Sequence, residues 1–124
     1  QLHDALVQPD ITEWIRKRPT IILGDFNQSA KYTDDGWRTL KKLTDAHELV
    51  SAYHEFFPKE PFGKETSPTH YHHFKQEKAF HLDYCLLPKD WIPRIERVTV
   101  GAFSVWCQTK ISDHVPLIVD LRFP

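Results

Sequence analysis

Residues 20–29 read TIILGDFNQS, an apolar run that ends abruptly in a glycine, a carboxylate, an aromatic ring and an amide. The first four residues are uncharged, which predicts a strand buried on both faces. Gly24 permits a sharp turn, and Asp25 and Asn27 would point the same way on extended backbone. Strand ends often carry the chemistry of sheet proteins, but Asp and Asn also favour ordinary turns. This stretch alone leaves both interpretations open.

Length and composition fit one small globular domain. The 124 residues predict a single domain, 1–124, and the hydrophobic content of 40 % is enough for a core. A formal net charge of −1 gives no overall basic footprint, so binding of a polyanion would need a local patch or a metal. Cys85 and Cys107 lie in apolar runs, which predicts buried thiols rather than a disulfide framework.

The chain shows no export or membrane signal. It has no apolar run of about 18 residues and no basic-then-apolar leader, so we expect a cytoplasmic protein without a membrane span. The sequence opens at Gln1, without a methionine, directly into helix-like sequence. We therefore expect it to be part of a longer protein.

Hydrophobic periodicity predicts a mixed α/β domain with about four strands and two or three helices. Asp10 and Glu13 have capping-box spacing, which predicts a helix that begins at Asp10 and ends before Pro19. Phe80 to Leu87, FHLDYCLL, alternates between two faces, as a strand does. The other expected elements are a helix through Trp37, Leu40 and Leu43, a helical turn carrying Leu49 to Phe57, a surface loop over 58–69, and strands near His70, over 97–106 and over 115–123.

Three carboxylates occupy comparable positions in this pattern. Asp25 follows a strand, Asp83 lies within another beside His81, and Asp113 precedes His114 at the start of the last strand. A carboxylate in apolar sequence is costly unless it is paired or metal-bound, so a common cluster is expected. Such oxygen ligands suit Mg²⁺ or Mn²⁺, and a neighbouring histidine could act as acid, base or phosphate ligand.

Three short motifs, in this order, resemble the endonuclease/exonuclease/phosphatase superfamily, whose members include deoxyribonuclease I-like nucleases. They are GDFN at 24–27, HLDY at 81–84 and SDHVP at 112–116, and the resemblance runs from about Thr12 to Leu121. The resemblance implies the second half of a two-sheet α/β sandwich, a mixed, mostly antiparallel sheet with flanking helices. It also implies a divalent-metal-dependent phosphodiester or phosphoester hydrolase, with a nuclease on DNA or RNA as the favoured activity.

The resemblance also implies a role for each motif residue. Asp25 would align or deprotonate the attacking water, and Asn27 would donate its amide to a phosphate oxygen. Asp113 would be the metal ligand for Mg²⁺ or Mn²⁺. His114 would contact the scissile phosphate or act as acid or base, with Asp83 hydrogen-bonded behind it. His81 would join the substrate-binding groups; whether Asp25 or His114 is the base stays open.

The family's first half, which supplies a Glu metal ligand and further groups, cannot be fitted before Gln1. We therefore expect the chain to carry the second half of the active site and to have little activity by itself. An uncovered sheet face around Val115, Leu117 and Val119 would then favour a homodimer. This leaves two alternatives: a catalytically incomplete module for interaction or assembly, or a phosphatase acting on small or lipid phosphoesters.

Three smaller patterns have competing interpretations. The run His70-Tyr71-His72-His73 offers only two converging ligands where zinc needs three or four, so a polar-aromatic strand near the substrate mouth is favoured. Asn27-Gln28-Ser29 matches a glycosylation signal, but the GDFN context explains Asn27 better. Three lysines near the motifs could steer phosphate or could be ordinary solvated charges: Lys75, Lys78 and Lys110.

Overall fold

The computed structural model describes residues 4, 6, 8–32 and 34–124, apart from the side chains of residues 34, 36 and 37. The chain is α/β, and its described ranges contain seven short strands rather than about four. The elements are α1 (Pro9–Lys17), β1 (Ile22–Asp25), α2 (Asp34–His47), β2 (Leu49–Ser51), α3 (Ala52–Phe56), β3 (His70–Tyr71), a 3₁₀ helix (His72–Phe74), β4 (Ala79–Phe80), β5 (Asp83–Pro88), a second 3₁₀ helix (Lys89–Arg94), β6 (Ile95–Val100), α4 (Phe103–Trp106) and β7 (Leu117–Leu121).

The strands form three small antiparallel sheets. The largest has the order β1-β5-β2, and β3 pairs with β4 and β6 with β7. The central strand β5 is buried on both faces: Tyr84 and Leu86 face one side, and Cys85 and Leu87 face the other. The alternation expected for FHLDYCLL is therefore confirmed within β5.

The two faces of β5 anchor two parts of the core. On one side, Leu40 and Leu43 of α2 pack with Tyr84 and Leu86. On the other, residues of α3 and β6 pack with Cys85 and Leu87, and the apolar side chains of β7 cover this cluster at its edge. Both thiols are free and buried, as expected, and burial raises the pKa of Cys85 and of Cys107.

The expectation that the first strand is buried on both faces is wrong. Ile22 packs against the helix-side core, but Leu23 is 71 % exposed and Ile21 is also exposed. The reason is that none of the described residues covers the other face of β1. An uncharged run therefore identified a strand correctly without showing what packs on each side.

The N-terminal helices depart from expectation at their ends. α1 begins at Pro9 with Gln8 as its N-cap, so Asp10 lies in the first turn instead of capping it. Proline is favoured at this position because its fixed φ suits the first helical turn. Around Leu40 and Leu43 the expected helix is confirmed as α2, which also contains Trp37, whose side chain is not among those described. The turn expected from Leu49 to Phe57 is instead a short strand, β2, followed by α3.

Two C-terminal strands are shorter than expected. The run at 97–106 divides into β6 and α4, and β7 begins at Leu117 instead of Val115. Pro116 explains the late start, because proline has no N–H to give to a strand ladder. Gly101 marks the break, because an added Cβ there would lie 2.6 Å from the Pro116 ring. None of the described helices is long and apolar enough to cross a membrane.

Candidate active site

The β1–β5 register places two of the predicted acids opposite each other. Asp25 is the last residue of β1 and pairs with Asp83, the first residue of β5. Directly opposed residues of an antiparallel pair have side chains on the same face. The two carboxylates therefore lie side by side at the end of the sheet, which accounts for two of the three acids in the expected cluster.

The chain turns sharply as it leaves β1. Gly24 has a φ of 140°, which side-chain-bearing residues rarely adopt, and Asn27 has a φ of 51° in the left-handed region that asparagine tolerates. Asp25 Oδ1 accepts a hydrogen bond from the Asn27 N–H over 2.8 Å. This Asx-type turn means that Asp25 and Asn27 do not follow the extended geometry expected of them.

Buried groups hold this turn against the HLDY segment. Phe26 is buried, and its N–H donates to the Leu82 carbonyl. The Tyr84 hydroxyl lies 3.0 Å from the Gln28 carbonyl and 3.1 Å from that of His81. Burial raises the pKa of Tyr84, so the hydroxyl keeps its proton and remains a donor. The first two motifs are thereby fixed to each other.

His114 lies between the two carboxylates. Its Nδ1 is 2.8 Å from Asp83 Oδ2, and its Nε2 is 3.9 Å from Asp25 Oδ2. The three side chains are between 20 % and 36 % exposed, so the group is partly desolvated but open to a substrate. A carboxylate at Nδ1 fixes the tautomer of an imidazole and leaves Nε2 to act on a ligand. The structure thus brings Asp25, Asp83 and His114 together.

The loop that carries the third motif is tied to β3. Tyr71 N–H donates to the Asp113 carbonyl over 2.7 Å, and His114 N–H donates to Ser112 Oγ over 3.0 Å. Val115 N–H donates to the Thr69 carbonyl. These bonds fix the backbone on both sides of His114, so the ring is positioned by its own loop as well as by Asp83.

Thr69 is a supporting residue that the sequence did not reveal. It is completely buried, and its hydroxyl accepts hydrogen bonds from the N–H groups of Leu82 and Asp83, each over 3.0 Å. The Thr69 hydroxyl therefore binds the start of β5, and the Thr69 carbonyl accepts from the N–H of Val115, directly after His114. A threonine after Pro68 has no distinguishing pattern, because the role depends on residues distant in sequence.

Asp113 lies at the open side of the group. Its side chain is 45 % exposed, and its Oδ2 is 3.5 Å from His70 Nε2. His70, Asp113 and His114 each offer one ligand atom, and these atoms all lie within 4.8 Å of one another. Asp113 could therefore hold a cation, with His70 as a neighbour that was not among the predicted site residues.

His81 is not placed with this group. It is 4 % exposed, its Nδ1 lies 2.9 Å from the Ser67 carbonyl, and its ring packs against Tyr53 and Tyr84. Burial lowers the pKa of His81, which favours a neutral packing residue. This position argues against the direct substrate contact expected for it.

An apolar cavity lies on one side of the site. A cavity of about 480 Å³ adjoins His114 and Asp83, and Leu23, Trp106 and Leu117 contribute to its wall. The three lysines considered from the sequence, Lys75, Lys78 and Lys110, are all exposed. Lys110 lies over the Phe74 ring, with Nζ 4.2 Å from the ring centroid.

Comparison with known proteins supports the fold. Neither a protein-family model nor a curated protein matches the sequence. Among solved structures, the 3′ phosphatase NExo from Neisseria, bound to a product DNA hairpin, is similar with a TM-score of 0.64 and 17 % sequence identity. The match covers 95 % of this chain and 56 % of NExo, so the chain spans little more than half the length of that enzyme. At this identity the likeness shows a shared fold, and the resemblance is supported at that level.

Proposed function

We propose that this chain carries the second half of the active site of a divalent-metal-dependent phosphoester hydrolase, most directly a nuclease or DNA-end phosphatase. The observation that carries the proposal is the position of His114 between Asp83 and Asp25. An imidazole oriented by one carboxylate and facing another suits proton transfer in hydrolysis. The fold shared with a 3′ phosphatase is consistent with the same class of chemistry.

Each motif residue has a role in this proposal. Asp25 or His114 accepts a proton from the water that attacks phosphorus, and the phosphorus–oxygen bond to the leaving group breaks. Asp83 holds the His114 ring with Nε2 toward the site. Asn27, exposed after the turn, donates its amide to a phosphate oxygen. The leaving oxygen takes up a proton, which completes the hydrolysis.

Asp113 is the proposed ligand for Mg²⁺ or Mn²⁺. Its exposed carboxylate at the edge of the site fits one position of an oxygen shell, and Mg²⁺ usually keeps several waters. A bound cation would offset the charge that develops on the phosphate in the transition state. One carboxylate binds such an ion weakly, which is why a complete site would need further ligands.

Nucleic acid is the proposed substrate class. NExo was solved with a product DNA hairpin, and this chain shares its fold. The exposed lysines Lys75, Lys78 and Lys110 could contact a phosphate backbone, since such contacts are sequence-independent. A phosphatase on small or lipid phosphoesters is the alternative within the same reaction class.

A second candidate function is an interaction or assembly module, which the exposed apolar face favours. Leu23 is 71 % exposed and adjoins the cavity wall formed by Leu117 and Val119. A second copy of the chain covering this face would make a homodimer, and the isolated chain would then have little activity.

A direct assay of the full-length protein that carries this chain tests the hydrolase proposal. We expect cleavage of a 3′-phosphorylated DNA hairpin and of a generic phosphodiester with Mg²⁺ or Mn²⁺, and no cleavage with excess EDTA. An inositol polyphosphate in parallel distinguishes the substrate classes. Absence of metal-dependent hydrolysis on every substrate would refute the enzyme proposal and favour the module.

A further inference from the structure

Tyr32 is a large aromatic side chain that is held in place and yet stays exposed. Half of its surface, 50 %, is open to solvent. Its hydroxyl donates to the Ala79 carbonyl over 3.2 Å, and its ring centroid lies 4.5 Å from that of Phe80. Both contacts come from β4, about 47 residues away in sequence. A ring fixed in this way loses little conformational entropy when a ligand packs on it, so Tyr32 is a preorganised contact surface.

The backbone that carries Tyr32 is also packed. The Tyr32 N–H donates to the Ser29 carbonyl over 3.4 Å, and Ser29 is buried. Gly63 approaches the preceding residue so closely that an added Cβ would lie 3.1 Å from the carbonyl carbon of Ala30. The surface loop therefore holds this turn from one side, and β4 holds the ring from the other.

A series of ring contacts connects Tyr32 to the proposed catalytic histidine. The ring centroids are 4.5 Å apart for Tyr32 and Phe80, 5.9 Å for Phe80 and His70, and 4.5 Å for His70 and His114. At about 3.4 Å for each stacked nucleotide, these steps place Tyr32 within about four nucleotides of His114. A strand with one phosphate at His114 therefore reaches Tyr32 with a nearby base.

Lys31 supplies a positive charge at the same place. Its Nζ lies 5.2 Å from the centroid of the Tyr32 ring. The flexible stem of a lysine lets the ammonium move from the ring to a phosphate when a ligand packs on the ring. An aromatic face beside an ammonium group matches a nucleotide, which offers a planar base next to an anionic phosphate. Inositol and lipid headgroups offer a phosphate but no planar ring.

The exposed ring also indicates which form of nucleic acid fits. Bases inside a duplex have both faces covered by their neighbours, whereas an unpaired base can turn out and stack on an aromatic side chain. We propose that Tyr32 stacks one unpaired base of the substrate, with Lys31 at a neighbouring phosphate, so that the protein binds a single-stranded segment of nucleic acid. This inference rests on the proposed function for its substrate class, and it assigns a base-binding role to a residue outside the catalytic group.

Binding without hydrolysis tests the stacking role. The full-length protein in EDTA would be titrated into fluorescein-labelled single-stranded DNA of about ten nucleotides, followed by fluorescence anisotropy. We expect Tyr32→Ala to weaken binding about tenfold and Tyr32→Phe, which keeps an aromatic face, less than about twofold. Lys31→Gln should lower the slope of log affinity against log salt by about 0.7, the value for one phosphate contact on a single strand.

Oligonucleotides with one abasic nucleotide, placed at each position in turn, separate stacking from a structural role. At one position the missing base should weaken wild-type binding about as much as Tyr32→Ala does, and Tyr32→Ala should add no further loss there. Additive losses at every position would mean that Tyr32 only supports the loop, which would overturn the proposal.

Trp14→Ala is the matched control. Trp14 is 49 % exposed and has Arg18 over its ring at 5.4 Å, but it lies on α1. We expect this variant to bind as the wild type does. Absence of binding by the wild type, or unchanged binding by a folded Tyr32→Ala, would overturn the stacking proposal, and DNA hydrolysis with Mg²⁺ would then leave the proposed function standing. Binding that depends on Tyr32 without any hydrolysis would contradict the proposed function and support the stacking role.

Discussion

At the scale of single residues, His114 depends on a partner for its chemistry. Its Nδ1 faces Asp83 at 2.8 Å, and Asp25 lies 3.9 Å from its Nε2. A ring held in this way presents the same nitrogen to every substrate, whereas a free imidazole exchanges tautomers and rotates. In the proposed mechanism, the carboxylate of Asp83 therefore acts through His114 rather than on the substrate.

Replacing Asp83 by asparagine tests whether Asp83 positions His114. The amide keeps the size of the side chain but no longer favours the Nδ1–H tautomer of His114. We expect Asp83→Asn to lower kcat for a phosphodiester by about 10²- to 10⁴-fold, the usual contribution of a positioned acid or base. Steady-state kinetics on the full-length protein would measure this. Asp120→Asn, which alters only a surface pair with Arg97, should keep wild-type kinetics, and equal losses would contradict the assignment.

Thr69 supports the site through its backbone contacts. Thr69→Val removes the hydroxyl that accepts from the Leu82 and Asp83 N–H groups, and leaves both donors buried without that partner. We expect the free energy of unfolding to fall by about 2–6 kcal/mol, at about 1–3 kcal/mol for each donor left unsatisfied. Urea unfolding would measure it. The exposed Thr99→Val should change stability by less than about 0.5 kcal/mol, and a similar small effect at Thr69 would refute the argument.

The sequence was sufficient to predict those site residues that stand out from the residues around them. Asp25, Asp83 and His114 stand out because each is polar in an apolar context. Thr69 and His70 do not, because their roles come from contacts with residues about 13 and 44 positions away. The family resemblance implied a substrate contact for His81, but alternation along the chain could not show that His81 is buried.

At the scale of elements, polar side chains hold the segment before β3 against α3. Glu65 Oε1 lies 3.1 Å from His54 Nε2 and accepts from the Gly63 N–H, and the Tyr53 hydroxyl donates to Glu60. Burial alone would raise the pKa of Glu65, but the hydrogen bonds from His54 and Gly63 outweigh it and hold that pKa below its usual value. The hydrogen bonds of Glu65 with His54 and Gly63 therefore require an ionised Glu65.

Two ionisable side chains, His81 and Glu65, make stability depend on pH. The pKa of His81 is lowered from 6.5 by burial, so the unfolded chain binds more protons there and stability falls as pH drops below about 6.5. Glu65, whose pKa is lowered from 4.5, adds a further loss below about 4.5. We expect the free energy of unfolding to fall from pH 7.5 to 5.5, measured by urea titration.

His81→Asn isolates the contribution of this histidine. Asparagine can donate to the Ser67 carbonyl in place of the ring but does not titrate in this range. The slope of stability against pH between 7.5 and 5.5 should therefore flatten. His73→Asn, on the surface, should keep the wild-type slope. If His81→Asn kept the full slope, His81 would not be the titrating group.

Elements with a regular hydrophobic pattern were predictable from the sequence. Elements whose bounds depend on tertiary contacts were not. The helix through Leu40 and Leu43 and the alternating strand β5 match expectation because their patterns are long and regular. The run at 97–106 did not form one strand, because Gly101 packs so closely on Pro116 that the chain turns there. The exposure of the Leu23 side chain depends on what packs against that face of β1, which no local sequence pattern indicates.

At the scale of the whole molecule, the site stands at the edge of an uncovered apolar face. Leu23 of β1 and Ile21, directly before β1, are exposed, and the cavity beside them continues toward Leu117 and Val119. Apolar patches of this kind are commonly covered by another surface. The expected homodimer and the proposed second half of a larger site both place a covering surface here.

Self-association of the 124-residue chain tests this face. We expect the isolated chain to associate at micromolar concentrations, and Leu23→Lys to reduce the association at least tenfold by placing a charge in the contact. Sedimentation velocity would measure both. Ile118→Lys is the matched control, because Ile118 is an exposed residue on the other side of β7. A monomeric wild-type chain, or equal effects of the two variants, would show that this face does not mediate association.

The central claim is that His114 works in phosphoester hydrolysis, and one comparison tests it most directly. The full-length protein and its His114→Ala and His73→Ala variants would be assayed on a 3′-phosphorylated DNA hairpin with Mg²⁺. We expect His73→Ala to retain wild-type kcat and His114→Ala to lose at least about 100-fold, while all three remain folded by circular dichroism. Unchanged turnover in a folded His114→Ala variant would contradict the account.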